Sequence, residues 1–337
     1  MKAFNHENAK TLAEAKTALA GGKAEIIAGG TDLIGRLKDN ILPDKMYPAS
    51  LINIKTIAPT LDYVREEAGV LKIGATTRLA DIASNQAVNQ KYTALAQAAL
   101  RVGTPHVRDM GTIGGNLAQL HRCWYFRKPE NRFQCVRKGG TTCFAMTGDN
   151  RYHSIFGNVN KCIAVHPSDV APALIALNAT VVTNVRKIPI ENFFDVKFPS
   201  NTVLNPGEII TEIQVPAPPA GAKSAFLKFA IRKSIDFPIV NCAVMVGGGA
   251  ARIALNAVAP KPYRATRAEA AIAGKPINEA NAEAAGAAAV EDAKPLTATK
   301  YKVQIARTLV KRALLILDEE GKSIGVVSEL FSVKPLL

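Results

Sequence analysis

Four of the five cysteines in this sequence lie close together, and their position constrains the fold more than any other feature. They are Cys123, Cys135, Cys143 and Cys162, separated by eleven, seven and eighteen residues. The segment follows the glycine-rich run Gly111-Thr112-Ile113-Gly114-Gly115-Asn116. Because four thiolates can hold a zinc ion or an iron–sulfur cluster, this adjacency predicts a metal cluster inserted beside a cofactor-binding loop.

The spacing of the cysteines favours an iron–sulfur cluster over zinc. Zinc knuckles present pairs of cysteines separated by two to four residues, and the intervals here are all longer. The spacing is also compatible with thiols that bind no metal, either as ordinary buried side chains or as two disulfides in an exported protein.

The charges around the cysteines support the cluster. The basic side chains in this segment are Arg122, Arg127, Lys128, Arg132, Arg137, Lys138, Arg151 and Lys161, against the acidic Glu130 and Asp149. Cationic groups stabilise thiolates and offset the negative charge of a thiolate-bound cluster. The fifth cysteine, Cys242, lies in the apolar run 240–246, which predicts a core thiol.

Length and composition predict a soluble protein of two or three domains. The chain has 337 residues, of which 48% are hydrophobic, so it can bury a large core. Its N-terminus has no apolar segment typical of a signal peptide, and no run approaches the roughly 18 apolar residues of a membrane span. We therefore expect a cytoplasmic chain with no membrane span.

The formal net charge of +14 raises the question of an acidic partner. Nucleic acid is disfavoured, because the basic residues are dispersed, aromatic residues make up only 6%, and no known nucleic-acid-binding signature occurs. An acidic protein partner or a basic solvated surface fits the charge better.

Helices and strands alternate along the first two thirds of the chain. The capping box Thr11-Leu12-Ala13-Glu14 predicts a helix that ends at Gly21-Gly22. We predict strands at 25–28, 51–54, 71–75, 180–185 and 209–215, and helices at 77–82, 92–102 and 170–177. Thr104-Pro105 is predicted to be an extended link, and Ser168 or Asp169 to cap the last helix.

A proline-rich linker at 216–221 divides the chain near residue 220. Beyond it we predict strands at 226–231, 239–246 and 251–258, and helices at 265–273, 280–293 and 303–317. The expected fold class is therefore α+β.

Two glycine runs are candidate ligand-binding loops, at 29–30 and 111–116. Neither has the Gly-x-Gly-x-x-Gly or Gly-Lys-Ser/Thr pattern of nucleotide-binding loops. A single Gly-Gly after a strand is more often a turn, but two such runs, one of them beside the cysteine cluster, make a turn and a binding site equally expected. The sequence has no arrangement of His and carboxylates typical of acid–base or nucleophilic catalysis, so its chemistry is expected to come from cofactors.

Several motifs occur in an order that resembles the FAD-binding medium subunit of the molybdenum hydroxylases, the xanthine dehydrogenase and carbon monoxide dehydrogenase group. The motifs are 26–33 (IIAGGTDL), 73–77 (IGATT), 107–116 (VRDMGTIGGN), 167–169 (PSD) and 226–232 (FLKFAIR). The resemblance implies a two-part FAD-binding domain at 1–220, with subdomains at about 1–57 and 58–220. It further implies a smaller C-terminal sheet-plus-helices domain at 221–337, of the carbon monoxide dehydrogenase flavoprotein type.

The resemblance also implies the residues that bind FAD, with the glycine loops holding the pyrophosphate through backbone amides. The implied residues are Ile26, Ile27, Ala28, Gly29, Gly30, Thr31, Asp32, Leu33, Val102, Thr112, Ile113, Gly114, Gly115, Asn116, Asp169, Ile210 and Lys228. The purely structural alternatives are a helix cap for Asp169, a strand core position for Ile210 and a solvated charge for Lys228.

The cysteine segment, at about 119–165, is an insertion relative to most members of this family. It resembles the subgroup in which four cysteines, here Cys123, Cys135, Cys143 and Cys162, hold a [4Fe-4S] cluster. That subgroup includes hydroxybenzoyl-CoA reductase and the heterotrimeric periplasmic aldehyde oxidoreductase, and the segment 162–169 is more similar to the aldehyde enzyme. The implied partners are a large molybdopterin subunit and a small [2Fe-2S] subunit. Because the family's electron path from molybdenum to FAD does not need the extra cluster, we expect the cluster either to exchange single electrons with an external carrier or only to hold the segment in place.

The expected function is therefore that of an FAD and [4Fe-4S] electron-transfer subunit of a molybdenum hydroxylase that oxidises an aldehyde or an aromatic heterocycle. One alternative is the flavin subunit of a reductase that dehydroxylates an aromatic acyl-CoA. Another, of a different class, is a non-catalytic interaction module stabilised by zinc. A partner's export signal would place the complex in the periplasm instead of the cytoplasm.

Overall fold

Three sheets organise the chain in the computed structural model, which describes residues 1–198 and 200–318. The strands are β1 (Asn5–Asn8), β2 (Ala24–Ile27), β3 (Ser50–Asn53), β4 (Val64–Glu67), β5 (Val70–Gly74), β6 (Thr180–Thr183), β7 (Lys187–Pro189), β8 (Ile210–Pro216), β9 (Lys223–Phe229), β10 (Val240–Gly247), β11 (Ala250–Asn256) and β12 (Tyr263–Arg264). Their orders are β1-β3-β2, β4-β5-β8-β6-β7 and β12-β11-β10-β9.

Most of the helices are short. They are α1 (Leu12–Ala20), α2 (Leu33–Lys38), α3 (Leu79–Ser84), α4 (Gln86–Lys91), α5 (Thr93–Leu100), α6 (Pro105–Met110), α7 (Ile113–Ala118), α8 (Val170–Ala176), α9 (Ile190–Phe193), α10 (Thr266–Ile272), α11 (Glu279–Ala289) and α12 (Lys300–Asp318). The mixture of helices with largely antiparallel sheets confirms the predicted α+β class. The part of the predicted C-terminal domain at 319–337 lies outside the described residues.

The N-terminal sheet is parallel and carries the first glycine loop at the end of β2. Strand β3 pairs with both β1 and β2 in parallel register. Helix α1 begins at the predicted capping box, where the Thr11 hydroxyl accepts a hydrogen bond from the Glu14 amide at 3.1 Å. The small core beneath it includes Leu19, Ile52 and Ile54. The loop after β2 is therefore held by a packed layer.

The largest core lies between the five-stranded and four-stranded sheets. Helix α5 packs there with its alanine-rich face, and every residue of α8, from Val170 to Ala176, is buried. The same core takes in side chains from both sheets, including Ile213 of β8 and Phe226 of β9. This packing places the start of α8, and with it Asp169, at a fixed position beside the second glycine loop.

The C-terminal sheet alternates its side chains between two cores, as the two-residue period of a strand requires. In β10, Cys242 and Val244 face helices α10 to α12, whereas Ala243 faces the central core. Cys242 is fully buried, and burial raises its pKa well above the ordinary thiol value. The prediction of a core thiol is confirmed.

The sequence-based prediction was wrong about Thr104-Pro105. This pair begins helix α6, since Pro105 occupies its first turn and the Thr104 hydroxyl accepts a hydrogen bond from the Val107 amide at 3.3 Å. Proline is favoured at that position because a first-turn N–H has no partner within the helix. Helix α6 is short, and it ends where the second glycine run starts.

The cysteine segment at 119–165, called the insertion below, contains little regular structure, apart from a 3₁₀ turn at Val136–Lys138 and isolated bridges. Its apolar side chains form a small core in which Phe126 and Cys135 pack against Ile41 and Leu42. The insertion is thus anchored on the N-terminal subdomain. Within the described residues, no helix is long and apolar enough to cross a membrane.

Candidate functional site

A cavity of about 760 Å³ lies where the two glycine loops meet. Its wall includes all the FAD-binding residues expected from the resemblance except Ile113, which is buried in the central core, and Lys228. Val102 and Ile210, which are distant in sequence, both line it. The volume lies in the range of small-molecule and cofactor sites.

The two glycine loops touch each other through their backbones. A Cβ atom built on Gly29 would lie 2.0 Å from the Met110 carbonyl oxygen and 3.0 Å from the Gly111 Cα. Gly30 has a positive φ of 71°, which favours glycine. Glycine at these positions therefore allows the loops to form one continuous wall.

The second loop opens helix α7 and also packs closely. Thr112 caps the helix, its hydroxyl accepting a hydrogen bond from the Gly115 amide at 3.2 Å. The Gly114 amide donates to the Ala75 carbonyl oxygen at 3.0 Å. Both glycine amides thus have acceptors within the protein, so the structure gives these residues a packing role in the cavity wall.

Asp169 lies in the cavity wall and is held by a buried network. Its carboxylate accepts from the Lys228 ammonium at 2.7 Å and from the Asn241 amide at 2.8 Å. Burial raises the pKa of Asp169, although the charge of Lys228 opposes this shift. Lys228 itself is buried behind the wall and also donates to the Arg101 carbonyl oxygen at 3.0 Å. It orients Asp169 and is not a solvated charge.

Ser168, and not Asp169, caps helix α8. The Ser168 hydroxyl accepts a hydrogen bond from the Ala171 amide at 3.1 Å. The same hydroxyl donates to the side-chain oxygen of Asn116 in the second glycine loop. The cap therefore also connects α8 to the cavity wall, and it leaves the Asp169 carboxylate available for Lys228.

Sequence reasoning missed the part of the wall formed by the loop after β9. Ile235, Asp236 and Phe237 line the cavity from the C-terminal domain. Ile235 has a positive φ of 67°, which is rare for a β-branched residue, and its amide donates to the Gly103 carbonyl oxygen at 3.0 Å. No feature of the sequence pattern marks this loop, because its position depends on how the two domains pack.

Asp32 connects the cavity to the cysteine insertion. Its carboxylate pairs with Arg127 at 2.7 Å and Arg122 at 2.9 Å, and it accepts from the Leu120 amide at 3.1 Å. Burial raises the pKa of Asp32, but the two arginines outweigh that effect and hold it below the ordinary value. Two of the basic residues of the insertion therefore fix it against the first glycine loop.

The four cysteines that are predicted to bind a cluster lie in one neighbourhood of the insertion, and all four are free thiols. Burial raises the pKa of Cys123 to about 12 and that of Cys162 to about 11, and it also raises the pKa of Cys135. The proximity of Cys143 also raises the pKa values of Cys135 and Cys162. Within residues 1–198 and 200–318, no group of three or more His, Cys, Asp or Glu side chains is arranged so that it could hold a metal ion.

A buried ammonium accompanies the thiols. Lys138 is 3% exposed, and its Nζ atom has no hydrogen-bond partner among the described residues. Burial lowers the pKa of Lys138, while charges on Cys135 and Cys123 act in the opposite direction. An unpaired buried charge is costly unless opposite charge lies nearby. The neighbourhood is therefore suited to a centre that carries negative charge on its sulfur atoms.

Comparisons with known proteins agree with this architecture. Residues 2–218 match the family model for the FAD binding domain in molybdopterin dehydrogenase, and residues 225–317 match that for the CO dehydrogenase flavoprotein C-terminal domain. The aldehyde oxidoreductase FAD-binding subunit PaoB of Escherichia coli is 37% identical over 80% of this chain and 86% of its own length.

Carbon monoxide dehydrogenase is similar in both sequence and structure. The medium chain from Hydrogenophaga pseudoflava is 29% identical over 92% of this chain and 96% of its own length. A solved structure of that enzyme, lacking the Mo-pyranopterin moiety, matches 93% of this chain and 96% of its own chain with a TM-score of 0.70. With two family models covering both sides of the linker, this chain belongs to the FAD-binding medium subunits of the molybdenum hydroxylases, whose members are subunits of oxidoreductases.

Proposed function

We propose that this chain is the electron-transfer subunit of a molybdenum hydroxylase, with FAD in the glycine-lined cavity and a [4Fe-4S] cluster in the insertion. The observation that carries the proposal is the direct connection of the two sites through Asp32, which lines the cavity and pairs with Arg122 and Arg127 of the insertion. Bound FAD exchanges electrons singly or in pairs, so it can connect one-electron centres with a two-electron donor or acceptor.

The cavity wall supports FAD at the residues that face it. Gly29 and Gly30 of the first loop and Gly114 and Gly115 of the second add no side chain to the cavity wall, which suits the close approach of a pyrophosphate. Asp169 would accept a hydrogen bond from the cofactor, and Lys228 would hold that carboxylate in place. Val102 and Ile210 would offer apolar contacts to the ring system. The boundary between the two domains along the chain would lie near residue 220, as the linker predicts.

The spacing of the cysteines along the sequence supports a cluster in preference to zinc. A zinc ion with bonds of about 2.3 Å requires its four sulfur atoms to lie within about 4 Å of one another. A [4Fe-4S] cluster is a larger body, so its cysteine ligands stand further apart. The four cysteines lie near enough to one another for the ionisation of one to affect the pKa of its neighbours, as binding to one shared centre requires. The buried Lys138 ammonium would offset the charge of the cluster.

The proposed complex also contains a large molybdopterin subunit that holds the substrate site and a small [2Fe-2S] subunit. The similarity to an aldehyde oxidoreductase subunit favours an aldehyde as substrate, with an aromatic heterocycle as the alternative. The net charge of +14 suits docking to acidic partner surfaces. The complex would work in the cytoplasm, or in the periplasm if a partner carries an export signal.

Two rival functions predict different observations. The flavin subunit of a reductase that removes a hydroxyl from an aromatic acyl-CoA would bind the same cofactors but pass electrons towards the substrate. A zinc-stabilised interaction module would be colourless, whereas flavin and an iron–sulfur cluster absorb visible light. The family match to flavin subunits of oxidoreductases disfavours the zinc module.

Replacement of one cluster ligand tests the redox role in the intact complex. We expect Cys135→Ala or Cys143→Ala to lose iron, to leave the reduction of FAD by substrate intact, and to slow turnover with a one-electron carrier such as a ferredoxin. This result follows if the cluster lies between FAD and the external carrier. Cys242→Ala, at a buried thiol in β10, is the matched control and should retain iron.

The same measurements distinguish a structural role. Metal binding is coupled to folding, so a cluster can also simply hold a long insertion in place. If a folded complex without the cluster turns over at the wild-type rate with every acceptor, the redox role is wrong and the structural role remains.

A further inference from the structure

His153 lies against one of the four cysteines and has no part in the function proposed above. Its Nε2 atom is 3.2 Å from the Cys123 sulfur atom. The side chain is 2% exposed, so water does not compete for this contact. A buried imidazole next to a metal-ligand sulfur is placed to influence that ligand.

The direction of the hydrogen bond follows from chemistry. When Cys123 binds iron it is a thiolate, which can only accept a hydrogen bond, so the Nε2 atom of His153 must donate. The Nδ1 atom has no hydrogen-bond partner among the described residues, so no other contact competes to determine the tautomer. The donor assignment holds for both the neutral and the protonated ring, because each can carry a proton on Nε2.

The backbone of His153 is fixed on both sides. Its amide donates to the Asn150 carbonyl oxygen at 2.8 Å, and its carbonyl oxygen accepts from the buried Lys302 ammonium at 3.0 Å. The ring centroids of Trp124 and Tyr125 lie 6.2 and 6.5 Å from that of the imidazole. The imidazole therefore has little freedom to turn away from the sulfur atom.

We propose that His153 is a positioning residue that donates a hydrogen bond to the Cys123 sulfur and thereby raises the reduction potential of the cluster. This inference rests on the proposed [4Fe-4S] site. Reduction adds negative charge to the cluster and its sulfur ligands, so a hydrogen bond to a ligand sulfur becomes stronger on reduction. The donor thus stabilises the reduced state relative to the oxidised state.

The test is the midpoint potential of the cluster in the purified complex, measured by EPR-monitored redox titration. His153→Phe keeps a planar ring but removes the donor, and it should make reduction about tenfold less favourable, a shift of roughly 59 mV to more negative potential for one electron. His153→Gln keeps an N–H donor and should restore part of the shift. Tyr152→Phe, at the neighbouring position, is the control and should leave the potential unchanged.

The outcomes separate the inference from the proposed function. Absence of iron from the wild-type complex would refute the cluster itself. Iron in wild type and in both His153 variants, with one unchanged potential, would refute the role of His153 alone. If His153→Phe loses the cluster, the hydrogen bond can still be tested in the wild-type protein. ENDOR of the reduced cluster in H₂O and D₂O should then detect an exchangeable proton near a ligand sulfur that His153→Gln alters, and its absence would contradict the proposal.

Discussion

Gly114 shows how a single residue can shape the cavity without contacting a ligand through a side chain. A Cβ atom at this position would lie 2.9 Å from the Ala75 carbonyl oxygen and 3.2 Å from the Ala75 Cβ. The first of these distances is shorter than real Cβ contacts, so helix α7 or the strand end at β5 would have to move. Because α7 begins in the cavity wall, this movement would reach the bound cofactor.

We therefore expect Gly114→Ala to lower the affinity for FAD by about tenfold, since overpacking of this kind typically costs about 1–3 kcal/mol. Fluorescence titration of the flavin-depleted protein measures the affinity. Gly35→Ala on α2 is the matched control, because a Cβ there would meet no atom within 4 Å. Equal affinities for both variants and the wild type would remove Gly114 from the site.

At the residue scale, the sequence identifies candidate functional residues but not the side chains that they contact. The four cysteines and the glycine loops stand out by type and spacing, and the core position of Cys242 follows from its apolar neighbours. The pairing of Lys228 with Asp169 joins residues 59 positions apart, and the contact of His153 with Cys123 depends on the irregular path of the insertion. Sequence patterns have no period that reports contacts of this kind.

At the scale of elements, helix α12 connects the C-terminal domain to the cysteine insertion. Its Lys302 side chain is 1% exposed and donates to the carbonyl oxygens of His153 and Ala257. Burial lowers the pKa of this ammonium to about 7. The folded protein therefore releases the proton at a lower pH than the unfolded chain, in which a lysine has a pKa near 10.4.

This shift predicts a pH dependence of stability. Between pH 7 and about 10 the unfolded state binds more protons at this position, so the free energy of unfolding should rise with pH, by roughly 1 kcal/mol per unit. Lys302→Met removes the titrating group. Between pH 7 and about 10, the urea midpoint of the wild type should rise relative to that of Lys302→Met. If the two midpoints change with pH in the same way, the lowered pKa of Lys302 is wrong.

Elements with a strong hydrophobic period could be predicted, and those defined by neighbours could not. Strands β5, β8, β10 and β11 and helices α1, α8 and α12 follow their apolar patterns closely. Strands β1 and β4 lack that signal, because every residue of β1 is exposed and β4 has one half-buried position. They form through hydrogen bonds to β3 and β5, which a local pattern does not contain.

At the scale of the whole molecule, the candidate site is assembled from both domains. The N-terminal subdomain contributes the first glycine loop, the central subdomain the second loop and Asp169, and the C-terminal domain the loop at 235–237. Periodicity and spacing alone identify two glycine runs but not that they meet. The order of motifs, through the resemblance to a known family, supplied that arrangement, and the fold confirms the family.

The [4Fe-4S] cluster in the insertion is the most specific prediction for this protein. The family match accounts for FAD binding but does not assign a role to the four cysteines. The direct test is the content of iron, acid-labile sulfide, zinc and flavin in the wild-type protein after anaerobic purification. We predict four irons and four sulfides for each FAD and each chain, with no stoichiometric zinc. One zinc per chain without iron, in a protein that binds FAD, would contradict the [4Fe-4S] assignment.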